Sequence, residues 1–253
     1  MNKEGRGINL KEYEKVVYIE LAEWKRKILK RSSMITRISK KTQNKINAYI
    51  PAKAQGAVTE AVKQMIQTTL KGSNKLTKKL PSPLITLEEK DQLMRKKIEI
   101  YRKTASIEGA GTGAGGILLG LADFPLLLSI KMQFLMEAAV LYGYDTELYE
   151  ERVFLLYIFQ LAFSSDDKRA DIFEIVENWE AYKREKTELN WEQLQIEYRD
   201  YIDFVKILQL VPGIGAFVGA YANYNLLDQL GETAKNVYRM RYLQTVFKNE
   251  KHE

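Results

Sequence analysis

Residues 107–145, IEGAGTGAGGILLGLADFPLLLSIKMQFLMEAAVLYGYD, constrain the fold more than any other part of the chain. Six glycines fall between Gly109 and Gly120, residues 109–122 carry no charge, and the apolar run after Asp123 and Pro125 holds only Lys131 and Glu137. Glycine removes the side-chain spacer, so glycines this dense in an apolar segment predict close approach of backbones. A second segment of the same character, LQLVPGIGAFVGAYANYNLLDQLG, occupies residues 208–231. Each contains a GxxxG pair, Gly116 with Gly120 and Gly215 with Gly219, and each pair is followed within four residues by a polar side chain, Asp123 or Asn223. Helical residues four apart share a face, so each pair makes a flat surface that admits another helix. The expected outcome is a central pair of apolar helices packed glycine to glycine. Asp123 and Asn223 would then hydrogen-bond across the interface or border an apolar-ligand site.

Residues 109–130 are also long enough to cross a bilayer. Asp123 costs about 2.5–3.5 kcal/mol on insertion scales, and the Leu, Ile and Phe side chains return a few kcal/mol, so insertion is marginal. Gln209, Asn223 and Asn225 make the second segment a weaker candidate. Burial in a helical bundle and a hairpin dipping into the membrane both remain open.

The rest of the chain reads as helices. Asn9 with Glu12 opens one that runs to about Arg31, and Pro51 starts another that Gly72 stops. Residues 71–83, KGSNKLTKKLPSP, have linker composition. Thr86 with Glu89 makes a capping box for a helix to about Ser106. Asp145 with Glu147 caps the next, whose VFLLYIFQLAFS section is uncharged over 153–164 and too short to span a membrane, so it is a core helix. One amphipathic helix is expected from Ser165 through IFEIVENWEAYKREK, another from Asn190, and a last one over ETAKNVYRMRYLQTVF. Strand-like alternation is nearly absent. The fold class is therefore all-α: a multi-helix bundle of about eight or nine helices around two glycine-rich apolar helices, 109–143 and 208–230. Residues 1–80 form a basic helical region and 81–253 the main domain, with a single domain as the alternative.

Several chemistries are excluded. The chain has no cysteine, and its one histidine is His252, next to the last of 253 residues. Disulfides, thiolate catalysis, histidine relays and HExxH zinc sites fall away, and no cofactor or metal is expected. Residues 1–15 lack the apolar core of a secretory signal, so a cytoplasmic location is expected.

Net charge is +6, but its distribution matters more. Residues 25–79 hold fifteen Lys or Arg against one acid, Glu60, while the remainder is mildly acidic. Lys25, Arg26, Lys27, Lys30, Arg31, Arg37, Lys40 and Lys41 are interleaved with Ile28, Leu29, Met34, Ile35 and Ile38. That pattern is either a solvated basic face or a contact for an anionic membrane surface, where each cation contributes about 1 kcal/mol. Nucleic acid is disfavoured because no recognition motif accompanies the charge.

GTGAGG at 111–116 matches GxGxxG in letters, with Glu137 about twenty residues on. No strand precedes it, so a dinucleotide site is not expected. Acid–base catalysis would have to use Asp123, Glu137, Asp145 or Asp166–Asp167, and Asp166–Asp167 reads first as a helix N-terminal cap.

LADFPLLLSIKMQFLMEAAVLYGYD and VPGIGAFVGAYANYNLLDQLGETAKNVYRMRYL, with YEKVVYIELAEWKRKIL and INAYIPAKAQ, resemble the EcsC family of bacterial proteins over most of the chain. The resemblance implies a setting rather than a reaction. The family is named for the third gene of an operon encoding an ABC transporter ATPase and its membrane subunit, linked in Gram-positive bacteria to secretion, competence and intramembrane proteolysis. It carries over no catalytic residue. The expected role is a non-catalytic, membrane-associated accessory protein on the inner membrane face near such a transporter. A carboxylate-dependent hydrolase or lipid-modifying enzyme is the alternative.

Overall fold

The computed structural model describes residues 10–30, 52–71, 85–113, 116–164, 168–188 and 216–250, with side chains left out at 52–58, 105–124, 216–225 and 250. Among the described residues there are eight helices and no strand: α1 Glu12–Leu29, α2 Ala52–Lys71, α3 Leu87–Gly113, α4 Gly116–Tyr142, α5 Tyr149–Phe163, α6 Arg169–Glu177, α7 Trp179–Glu188 and α8 Ala216–Glu250. The chain is all-α, as its periodicity predicts. Of the residues expected to form a linker, 71–83, Lys71 ends α2 and 72–83 lie outside the described residues, as does the further helix expected from Asn190.

The longest element, α8, is a single helix of 35 residues, although the sequence reads as a glycine-rich segment followed by a separate amphipathic helix. Gly231, which looks like a stop, lies inside it and lets α3 approach. A Cβ built there would stand 2.7 Å from Ile98 Cγ1, closer than side chains tolerate. α3 and α8 run antiparallel, with Arg102 on Asp228 and Asp91 on Arg239, and form the most extensive interface of the bundle. α4 packs antiparallel to α3 through Lys97–Glu137 and the edge-to-face pair Tyr101–Phe134, and lies against α2 on another side.

The stretch 109–130, long enough to cross a bilayer, is not one helix. α3 ends at Gly113 and α4 begins at Gly116, so the segment splits between two antiparallel elements. The one described stretch long and apolar enough to cross a membrane is Pro125–Tyr142, and 61% of it is buried against other helices. α4 stops at Gly143, whose φ of +99° suits a residue without Cβ. The N–H of Tyr144 returns to the Ala139 carbonyl there, closing the helix end.

The Thr86–Glu89 box forms as expected, Thr86 N–H donating to Glu89 Oε2 at 2.7 Å and Glu89 N–H to Thr86 Oγ1 at 3.3 Å. α1 instead begins at Glu12, and Glu14 rather than Glu12 accepts the N–H of Lys11. Asp145 does not cap α5: it accepts the N–H of Glu147 in the preceding turn, and the cap position is Leu148. The helix expected through residues 165–186 breaks at Asn178, whose side-chain amide and backbone N–H both bond the Glu174 carbonyl. Within α5, Val153–Phe163 is wholly buried, as its lack of charge requires.

Candidate functional site

The polar centre of the bundle is built from residues the sequence did not single out. Arg239 and Arg241 sit two apart on α8 and therefore point to opposite sides of it. On one side Arg239, 2% exposed, donates from Nε to Asp91 of α3, which is 0% exposed, at 2.7 Å. Tyr13 and Tyr142 hydroxyls donate to the same carboxylate at 2.7 and 2.5 Å, and Glu20 accepts a second Arg239 nitrogen at 2.8 Å. Helices α1, α3, α4 and α8 thus meet on one carboxylate and one guanidinium. On the other side Arg241 grips Glu151 of α5 with two bonds of 2.7 Å, and its guanidinium lies 3.9 Å from the Tyr144 ring centroid. A fork-to-fork pair of this kind is among the stronger charge-assisted contacts.

The electrostatics follow from burial. Loss of water pushes the Tyr142 phenol well above its ordinary range, and the Asp91 charge adds to this. Burial likewise raises Tyr144 to about 12. Burial alone would weaken the Arg239 cation, but Asp91 more than compensates and holds the guanidinium charged. Every oxygen of Asp91 and Glu151 is occupied by a partner, so this assembly clamps helices together.

The acids proposed for catalysis are similarly engaged where they are described. Glu137 accepts from Lys97 at 2.5 Å, Tyr101 at 2.7 Å and Gln133 at 3.2 Å. Burial acts to raise its pKa, but the Lys97 ammonium and the two neighbours outweigh that and hold it below the usual carboxylate range. Asp145 is exposed. No contact joins Glu137 to Asp145. Asp166 and Asp167 lie outside the described residues. Gly116, Gly120 and Asp123 fall in the first part of α4, and Gly219 and Asn223 in the first part of α8, where side chains are outside the description; Gly215 is outside it altogether.

Of the expected membrane-contact cations, Arg31, Arg37, Lys40 and Lys41 lie outside the described residues. Lys25 is held by Glu177 of α6 at 2.6 Å, with its ammonium 5.2 Å from the Phe173 ring centroid. Arg26, Lys27 and Lys30 are exposed at the C-terminal end of α1. Elsewhere along it, α1 with α6 and α8 leaves an open groove of about 280 Å³ between Trp24, Phe173, Met240, Leu243 and Phe247, with the Lys25–Glu177 pair in its wall. Local spacing carries no sign of it, because its walls come from positions more than two hundred residues apart.

Comparison with known proteins agrees with this architecture in extent. The sequence profile described as the EcsC protein family matches residues 15–243, from α1 to the Arg239–Arg241 turns of α8. Protein EcsC of Bacillus subtilis (strain 168) is 52% identical over 224 residues, 88% of this chain and 94% of that protein. The uncharacterized protein YdbA of the same organism is 32% identical over 141 residues, covering 54% of this chain and 52% of its own. No solved structure matches. With the match running through nearly every described helix, the chain belongs to the EcsC protein family.

Proposed function

We propose that the protein is a non-catalytic accessory that docks on the anionic inner face of the membrane and works there beside an ABC transporter. The observation that carries this reading is the end of α1. Arg26, Lys27 and Lys30 are exposed, form no ion pair among the described residues, and lead directly into a stretch that stays basic to Lys79. Other cations of the bundle are spent on carboxylates: Lys25 on Glu177, Lys97 on Glu137, Arg102 on Asp228, Arg239 on Asp91, Arg241 on Glu151. Several free cations at about 1 kcal/mol each suffice for peripheral attachment to an anionic surface. The transporter enters through the EcsC kinship alone. The engaged state of Glu137 favours the non-catalytic reading over a carboxylate hydrolase.

Vesicle flotation tests it. The full chain should float with vesicles containing phosphatidylglycerol, stay behind with pure phosphatidylcholine, and be released by high salt as counter-ions screen the contact. Equal binding to both vesicles, or to neither, removes the electrostatic basis of the proposal.

A further inference from the structure

We infer that α1 pairs antiparallel with α1 of a second copy of this chain, about a two-fold axis at Ile19. The helix is apolar on two sides. Its inner side, Tyr13, Val17, Leu21, Trp24 and Ile28, packs on the core. Its outer side carries Val16 and Ile19, which are 50% and 62% exposed. A helix that only covers a bundle needs one apolar stripe with polar residues opposite it. Around Ile19 the outer face is laid out symmetrically. Val16 and Ala22 lie three residues to either side of it, Lys15 and Glu23 four, and Glu12 and Arg26 seven. At those spacings all six share the helix face of Ile19, and all are exposed.

The charges make this layout self-complementary. An antiparallel copy centred on Ile19 brings Glu12 to Arg26 and Lys15 to Glu23, and the two-fold axis repeats both pairs. Val16 then meets Ala22 and Ile19 meets its own copy, so apolar side chains fill the centre and charges flank it. Opposite charges across a helix seam set orientation in paired helices. Within one chain Lys15 holds Glu12 at 2.7 Å, while Glu23 and Arg26 form no ion pair among the described residues. Each half of the contact is therefore a square of four charges that alternate in sign around its edge. A parallel pair would set Glu12 on Glu12 and Lys15 on Lys15. Sliding the antiparallel pair by one turn would set Glu12 on Glu23 in one direction and Lys15 on Arg26 in the other. Like charges opposed in this way select against those arrangements. An anionic lipid surface is a poorer fit, because it would repel Glu12 and Glu23 on either side of the apolar pair. Lys27 and Lys30 take no part in the pairing and stay available to the membrane, as does the basic stretch beyond them. One helix per copy is a small contact, so the pair is weak and depends on concentration.

Sedimentation of the full chain over a concentration series tests the pairing. The mass should rise from 29.3 kDa toward twice that value. Lys15→Glu and Glu23→Lys should each weaken association by about tenfold or more, since each sets like charges opposite one another at both ends of the contact. Combining the two substitutions restores opposite charges and should recover the wild-type association. Ile19→Asp should stay monomeric. All three positions are exposed, so melting temperatures should hold near the wild-type value. The chain has no cysteine, so Ile19→Cys carries one thiol, which a short bis-maleimide should link to its counterpart across the axis. A wild-type chain that stays monomeric up to millimolar concentration overturns the inference. So does a double reversal as weak as either single one, a dimer that survives Ile19→Asp, or the absence of a linked product where the wild type dimerises. Ile19→Asp should still float with phosphatidylglycerol vesicles. If it stops floating while the wild type sediments as a monomer, this face is a membrane contact and the pairing is wrong.

Discussion

Asp91 accepts from Arg239, Tyr13 and Tyr142 with no exposure to water, so its removal leaves a buried guanidinium without a counter-charge. Breaking a buried pair by deleting one partner costs about 3–5 kcal/mol. We predict that Asp91→Ala lowers the melting temperature by about 10 °C, at roughly 2–4 °C per kcal/mol for a chain of this size. Asp91→Asn, which still accepts hydrogen bonds, should lose less. Lys15→Ala, which breaks the exposed pair with Glu12, should leave the melting temperature nearly unchanged. Thermal melts of the three variants check this; a similar loss from Lys15→Ala would deny the buried pair its special weight. None of this was legible beforehand. The partners of Arg239 are 148 and 219 residues away, and local spacing shows Arg239 only as a charge beside an apolar stripe. The Thr86–Glu89 box was legible because both halves lie within one turn.

At the scale of elements, helix existence was readable from periodicity, but joins and breaks were not. Gly231 and the 165–186 stretch show why. A glycine is a local stop signal, but at position 231 the nearness of Ile98 overrides it, and α8 continues because α3 packs through the gap. The otherwise amphipathic run breaks at Asn178, where the side-chain amide and the backbone N–H share the Glu174 carbonyl. The GxxxG pairs forecast close packing, yet the close approach that the described side chains show is Gly231 on Ile98, outside both pairs. We predict that Gly231→Ala destabilises the protein despite a helix-propensity gain of about 1 kcal/mol, because overpacking costs about 1–3 kcal/mol. Ile98→Val in the same chain should recover part of the loss, and denaturant melts of the double-mutant cycle measure that coupling. Additive effects of the two substitutions would mean that α3 and α8 do not meet there.

Over the whole molecule, helical periodicity and the near absence of strand alternation pointed to the all-α class, while the groove and the buried ionic centre needed the tertiary arrangement. That arrangement also sets how stability depends on pH. Tyr101, Tyr142, Tyr144, Tyr238 and Tyr242 are all shifted upward, in each case chiefly by burial. A folded-state pKa above the unfolded value means that the folded protein holds its proton longer. The stabilisation is then complete below the unfolded tyrosine pKa of about 10 and is lost as pH rises beyond it. Lys90, shifted down by burial, works in the opposite direction, but it is one group against five. Glu137 is shifted down, so its contribution is present above about pH 4.3 and fades as pH falls below that. With regard to these groups, we predict a plateau in melting temperature through neutral pH, a decline on the acid side to which Glu137 contributes, and a steeper decline above about pH 10. Phenolate absorbance followed over the same range should lag behind that of the urea-unfolded chain and then rise together with unfolding. Tyr142→Phe removes one such group along with its bond to Asp91, so the variant should melt lower at neutral pH and show a shallower alkaline decline. Phenolate signal that rises smoothly near pH 10 while the melting temperature holds would show that these rings are open to water, and the bundle would have to be looser at its α4–α8 junction than the stacked Tyr142–Tyr238 rings indicate.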